Sequence, residues 1–160
     1  MVGLTFAAHG AQKLFGWFGG PGLDGTGQFF TMIGFSPGRR HALMAGLAET
    51  GGCLLLALGL ITPLASAALI SVMLVAVFRA HIRNGFFGQN GGYEYNLVLG
   101  VAAFALAFAG AGSLSVDALV GYAESGMLRG LGALGIGILG GIVPLIQRKP
   151  APTTQTSTNS

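Results

Sequence analysis

His9 and Lys13 stand four residues apart in the stretch FAAHGAQKLFG, near the start of a chain of 160 residues. Positions i and i+4 share one face of a helix, so an imidazole and an ammonium are stacked one turn apart in an otherwise apolar segment. Ionisable groups in such a setting face a bundle interior or a wet cavity and mark proton, ion or substrate sites. The carboxylate that matches them is Glu49, in GLAETGGCLLL. A rise of about 1.5 Å per residue puts Lys13 roughly 7 Å and His9 roughly 13 Å from a helix end at Phe18, and Glu49 roughly 10 Å from an end at Ala42. These depths overlap, and Glu49 is expected to meet His9, Lys13 or both. Gly51 and Gly52 follow it, allowing close helix contact or room for a flat ligand.

A second group of polar residues lies in FRAHIRNGFFGQNGGYEYN. Arg79 and Arg83 are again i and i+4, and Glu94 and Asn96 open the apolar run that follows. Tyr93 and Tyr95 suit the aromatic belt of a membrane interface. One pocket could therefore gather His9, Lys13, Glu49, Glu94 and Arg79. Each has a plainer role beside this one. Buried polar groups also join helices, at about 0.6 kcal/mol on average, and Lys13 could anchor by snorkelling. Cys53, four residues beyond Glu49, could line the same pocket or serve only as a small packing residue.

The elements that must carry these residues follow from composition. The chain is 52% hydrophobic and only 8% charged, where soluble domains average about a quarter charged. Its apolar residues fall into blocks near the roughly 17–25 residues that a membrane-spanning helix needs. Five stand out: Val2 to Phe18, Ala42 to Ile61, Leu64 to Phe78, Asn96 to Gly112 and Met127 to Ile146. Thr62-Pro63 marks a tight hairpin between the second and third. The fold class is all-α, a polytopic membrane helical bundle with four core transmembrane helices and a fifth, Gly-rich C-terminal helix. A core of four is the alternative, because the fifth segment carries Arg129. Residues 1–147 form one bundle domain, and 148–160 form a disordered polar tail.

Charge orients the bundle. With five spans, Lys13, Arg39, Arg40, Arg79, Arg83, Arg148 and Lys149 fall on one side, and Arg129 falls on the other with Asp117 and Glu124. Basic loops stay in the cytoplasm, so the N-terminus is expected outside and the C-terminus in the cytoplasm of a cell-membrane protein. Topology explains the net charge of +3, and no nucleic-acid partner is implied. The N-terminal segment lacks a basic region before its apolar core, so no cleaved signal is expected. The single cysteine excludes an internal disulfide. Three histidines and one cysteine are too sparse for a haem or iron–sulfur cluster, and no metal site is expected.

Two connections carry further expectations. GGPGLDGTGQFFTMIGFSPGRR reads as a turn-rich loop ending in a short apolar run at the membrane interface, and its glycines lack the lysine and hydroxyl of a phosphate loop. SLSVDALVGYAES reads as a short surface helix capped by Ser113 or Ser115. In the fifth segment the Gly137/Gly141 pair suits close helix packing or a homo-oligomer contact.

Taken in order, AHGAQKLFG, AETGGCLLLALGLITPLAS, GGYEYNLVL and GAGSLSVDAL resemble the DoxX family of bacterial and archaeal membrane proteins, over roughly Val2 to Leu119. The resemblance implies four core transmembrane helices. It also implies a link to quinone-coupled oxidation of sulfur compounds, or to membrane assemblies with redox-stress enzymes. It brings no agreed catalytic residues. A quinone is the cofactor it suggests, and redox-enzyme subunits are the partners. Quinone chemistry moves protons with electrons, which suits a membrane-facing pocket with His and Glu. A non-catalytic scaffold subunit and a proton or small-solute carrier using Glu49 are the other two classes. No inverted repeat supports the carrier.

Overall fold

A computed structural model describes residues 2–122 and 125–146. The expected tail, with Arg148 and Lys149, lies outside the described residues, as does Glu124. The described elements are helical: α1 Val2–Phe15, α2 Gly22–Met32, α3 Gly38–Leu58, α4 Thr62–Ala76, α5 Glu94–Ala109, α6 Val116–Leu119 and α7 Met127–Ile146. A π-turn over Val77–His81 and a 3-10 turn over Ile82–Asn84 prolong α4, so that Thr62–Asn84 is one continuous apolar rod.

Glycines set the helix ends. Gly16 takes a left-handed conformation and stops α1. Gly59 does the same for α3, with the Leu60 N–H returning to the Leu55 carbonyl at 2.8 Å, the geometry in which a left-handed residue closes a helix. Pro63 lies in the first turn of α4, where its missing N–H costs nothing. The chain therefore turns over Gly59–Ile61, just before the Thr62-Pro63 pair.

Asp117 holds this hairpin shut. It is 3% exposed, and its two carboxylate oxygens accept from the Ile61 N–H at 2.8 Å, the Thr62 N–H at 3.1 Å and the Thr62 hydroxyl at 3.0 Å. Ser115 caps the short helix that presents it, accepting from the Ala118 N–H at 3.1 Å. Burial alone would raise the Asp117 pKa. The bonds from Thr62 and Ile61, with Arg129 nearby, outweigh burial and hold it below the ordinary value of 3.8. A depressed carboxyl stabilises the fold above its unfolded pKa, and that contribution is lost as pH falls through the folded value. Asp117→Asn should cost about 1–2 kcal/mol at neutral pH. It should also flatten the acid limb of a pH-dependent thermal unfolding series below 3.8. An unchanged acid limb would show that other carboxyls govern it.

Cross-links at both ends show that α3, α4, α5 and α7 alternate in direction, and Gly3 against Ala57 with Leu14 against Gly46 sets α1 antiparallel to α3. At one end Arg79 donates to the Leu145 carbonyl at 2.6 Å and lies 5.6 Å from the Phe35 ring centre. At the other, the Gly126 N–H meets the Phe108 carbonyl at 3.1 Å and the Asp117 N–H meets Gly59 at 2.9 Å. The first end carries Lys13, Arg39, Arg40, Arg79 and Arg83. The second is the hairpin end, with Arg129.

The exterior is apolar. Met44, Leu47, Val98, Val101, Ile136, Leu139 and Val143 are all more than half exposed, far more continuous apolar surface than a soluble monomer leaves in water. Three helices, Gly38–Leu58, Thr62–Asn84 and Met127–Ile146, are long and apolar enough to cross a membrane. The Gly-rich C-terminal segment is thus among the best candidates to span. The 14 residues of α1 and 16 of α5 reach about 21 and 24 Å, less than a hydrocarbon core of about 30 Å.

Cys53, Leu69, Ile70, Met73, Leu99 and Ala103 form the core, drawn from α3, α4 and α5. Helix α7 packs on α4 and α5 through small residues. A Cβ at Gly137 would sit 2.8 Å from Ile70, and one at Gly141 would sit 2.6 Å from Leu74. This glycine pair is therefore used within the chain.

Residues 22–32 differ from the turn-rich loop the sequence implied. They form α2, which packs on α1 and α3. Glycine is about 1 kcal/mol poorer than alanine in a helix, and at Gly27 close approach demands it. A Cβ on Gly27 would meet the Arg39 backbone at 3.0 Å, and one on Gly38 would meet the Gly27 carbonyl at 2.1 Å.

Candidate functional site

The site is built on the seam between α1 and α3. Gly10 faces Thr50 so closely that a Cβ there would lie 2.1 Å from its hydroxyl and 2.7 Å from its backbone nitrogen, and Gly3 packs equally tightly on Cys53 and Ala57. From the other side, Gly46 accepts the Leu14 side chain. Contact at this range leaves no room for water along the seam, and it brings side chains one turn further on into direct contact.

Those side chains are Lys13 and Glu49. Glu49 is 2% exposed and its Oε1 is ion-paired with Lys13 Nζ, while the Lys13 side chain is 31% exposed. Because α3 begins at Gly38 rather than Ala42, Glu49 lies about 16 Å into the helix, near its middle. Its second oxygen, Oε2, is buried and accepts no hydrogen bond among the described residues. A buried carboxylate oxygen without a donor is costly, by about 1–3 kcal/mol or more. The pair thus joins a fully buried acceptor to an ammonium that reaches the surface.

His9 takes a different direction. Its Nδ1 lies 3.0 Å from Gln12 Oε1 and its Nε2 lies 3.4 Å from the Tyr95 hydroxyl, with the two rings edge-on at 6.0 Å. His9 and Tyr95 are both exposed, so the trio forms an open polar flank between α1 and the first turn of α5, one helical turn from the ion pair. Gln12 and Tyr95 were not among the candidates in the sequence. The i+3 spacing of Gln12 from His9 was the available signal, whereas Tyr95 is brought there by helix packing.

Arg79 and Glu94 lie apart from this group. Arg79 ties the end of α7 to the connection between α2 and α3 through Leu145 and Phe35. Glu94 sits in the first turn of α5, a favourable place for an acid, and its Oε2 accepts from the Gly88 N–H at 2.9 Å. Of the five candidates, Lys13 and Glu49 form the centre and His9 borders it. Gly51 faces open space and Gly52 meets Ala65 and Ala68 at ordinary contact distance. Among the described residues, no three His, Cys, Asp or Glu side chains gather as a metal site would require.

A bundle with lipid-suited faces and an acid–base pair set between two helices, its carboxylate buried, defines a polytopic α-helical membrane protein with an ionisable centre. A family model described as DoxX matches residues 1–82, just over half of the chain, and the protein belongs to the DoxX family. The match contains α1 to α4, and with them the Lys13–Glu49 pair. Tyr95, α5 and α7 lie beyond it. No curated protein and no solved structure matches the chain.

Proposed function

We propose that this DoxX-family protein is a quinone-facing membrane component of an oxidoreductase assembly. Glu49 and Lys13 exchange protons, and His9, Gln12 and Tyr95 hold the quinone head group. The observation that carries this reading is Glu49 itself: it is buried, with one oxygen neutralised by Lys13 and the other without a donor among the described residues. Ionisable groups at such depth are functional by default.

Reducing a quinone to a quinol takes two electrons and two protons. The electrons come from a redox partner subunit, since sequence and site offer no carrier of their own. A quinone carbonyl needs hydrogen-bond donors, and a quinol hydroxyl also needs an acceptor. The Tyr95 hydroxyl, the Gln12 amide and a His9 ring nitrogen supply both on the open flank. Lys13, one turn away and reaching the surface, would pass on each of the two protons from bulk water, with Glu49 holding its charged form in place. A lipid-soluble ligand would reach this flank sideways from the bilayer. The distribution of basic residues favours a cytoplasmic position for the Lys13 end.

The test is quinone recovered by mass spectrometry from protein purified in mild detergent. Wild type should carry quinone near stoichiometry, and Glu49→Gln and Tyr95→Phe should each lose most of it while remaining folded. Background quinone in all three would overturn the reading and leave a scaffold role. Loss of proton flux in vesicles without any bound quinone would instead favour a carrier.

A further inference from the structure

We propose that the segment from Ser113 to Tyr122 is an interfacial anchor, lying in the bilayer leaflet opposite the basic end with its outward side chains sunk among the lipids. For a loop in water this segment is turned inside out. Its polar side chains point inward, with Ser115 4% and Asp117 3% exposed, while Leu114 is 100%, Leu119 83% and Val120 67% exposed. The clamp on the hairpin forces this arrangement. Asp117 is committed to Ile61 and Thr62, and Ser115 to the cap of α6, so the apolar residues around them are left facing outward. Met127 and Leu128, both more than half exposed, carry the apolar surface into the first turn of α7. From Gly112 to Tyr122 the chain holds no charge besides the buried Asp117.

Three observations select lipid as what covers this face. The first is level. The Asp117 N–H meets the Gly59 carbonyl at 2.9 Å, which fixes the segment against the turn before α4. The rod from Thr62 to Asn84 has 23 residues, so it measures about 34 Å, and Arg83 stands near its far end. That is close to one hydrocarbon thickness of about 30 Å. With Arg83 at one membrane boundary, the segment therefore stands at the other. The second is backbone. The Ser115 N–H and every N–H from Asp117 to Tyr122 donate within the protein, at 2.7–3.3 Å. A loop in water can leave such donors to solvent, whereas backbone among lipids must satisfy them internally. The third is Tyr122, also more than half exposed, an amphipathic ring of the type that gathers at the head-group level. An anchor of this kind buries its apolar face about 5–10 Å into the boundary between head groups and acyl chains.

The full chain would be reconstituted in phosphatidylcholine vesicles with Trp17→Phe, which removes the single tryptophan, and with Leu114→Trp or Leu119→Trp added as a fluorescent reporter. Both positions are so exposed that an indole displaces no neighbour. Each reporter should emit to the blue of indole in water. Phosphatidylcholine brominated on its acyl chains near the head group should remove most of that emission, and iodide in the buffer should remove little. Leu139→Trp, on the exposed middle of α7, gives the lipid-facing reference and should be quenched best by bromine placed near the chain ends. Emission at the aqueous wavelength from both loop reporters, quenched by iodide and not by brominated lipid, would overturn the proposal. So would loop reporters shielded from both quenchers while Leu139→Trp responds, since protein, a second copy or a partner, would then cover this face.

Discussion

Lys13→Met is expected to destabilise the protein by about 3–5 kcal/mol, the usual cost of leaving a buried charge without its partner. Glu49 is 2% exposed, and its other oxygen has no donor among the described residues, so losing the ammonium leaves the carboxylate buried without a partner there. Adding Glu49→Met should recover most of that loss, because a buried ion pair exchanged for apolar residues of similar volume is often neutral or stabilising. Unfolding in mild detergent of wild type, both single variants and the double variant completes the cycle. A double variant that regains stability but carries no quinone would show that the pair is kept for its chemistry. Additive losses would mean that the two residues act independently, against the contact observed here.

Gly10→Ala should give the second large effect. Its Cβ would come within 2.7 Å of the Thr50 backbone nitrogen, and backbone cannot rotate away as a side-chain tip can. Helix α1 must therefore lift off α3. Overpacking of this kind costs about 1–3 kcal/mol, against at most about 1 kcal/mol gained from replacing glycine inside a helix. Lys13 lies one turn further along α1, so the same displacement should separate it from Glu49. Reduced thermal stability together with loss of bound quinone is the expected pair of readouts. Gly51→Ala is the matched control: its Cβ meets nothing within 4 Å, and it should be neutral or slightly stabilising. If Gly10→Ala behaved like Gly51→Ala, the seam would be looser than it stands.

Glu49 shows how much of the site was legible in advance. A carboxylate in an apolar run needs a partner whatever the fold, and depth along the helices restricts that partner to His9, Lys13 or both. The choice between them depended on helix rotation. At about 100° per residue, a small rotation of α1 exchanges which of the two faces α3, and that rotation is set by Gly3, Gly10 and Gly46 fitting their neighbours. Nothing in their local sequence distinguishes these glycines from Gly51, which faces outward. Arg79 and Glu94 were placed with the pocket because they share its end of the bundle. Their actual partners, Leu145, Phe35 and Gly88, are set by loop paths and by the docking of α7.

Membrane character, the five apolar helices and the end of the bundle to which each described basic residue belongs are all readable from the order of residues. These follow from composition and segment length, which add up residue by residue and need no knowledge of neighbours. Packing in three dimensions makes residues 22–32 a helix, sets the α7 glycines against α4, and brings Tyr95 to His9 from 86 positions away. Each of these rests on contact between faces, and a face is selected only when two helices meet.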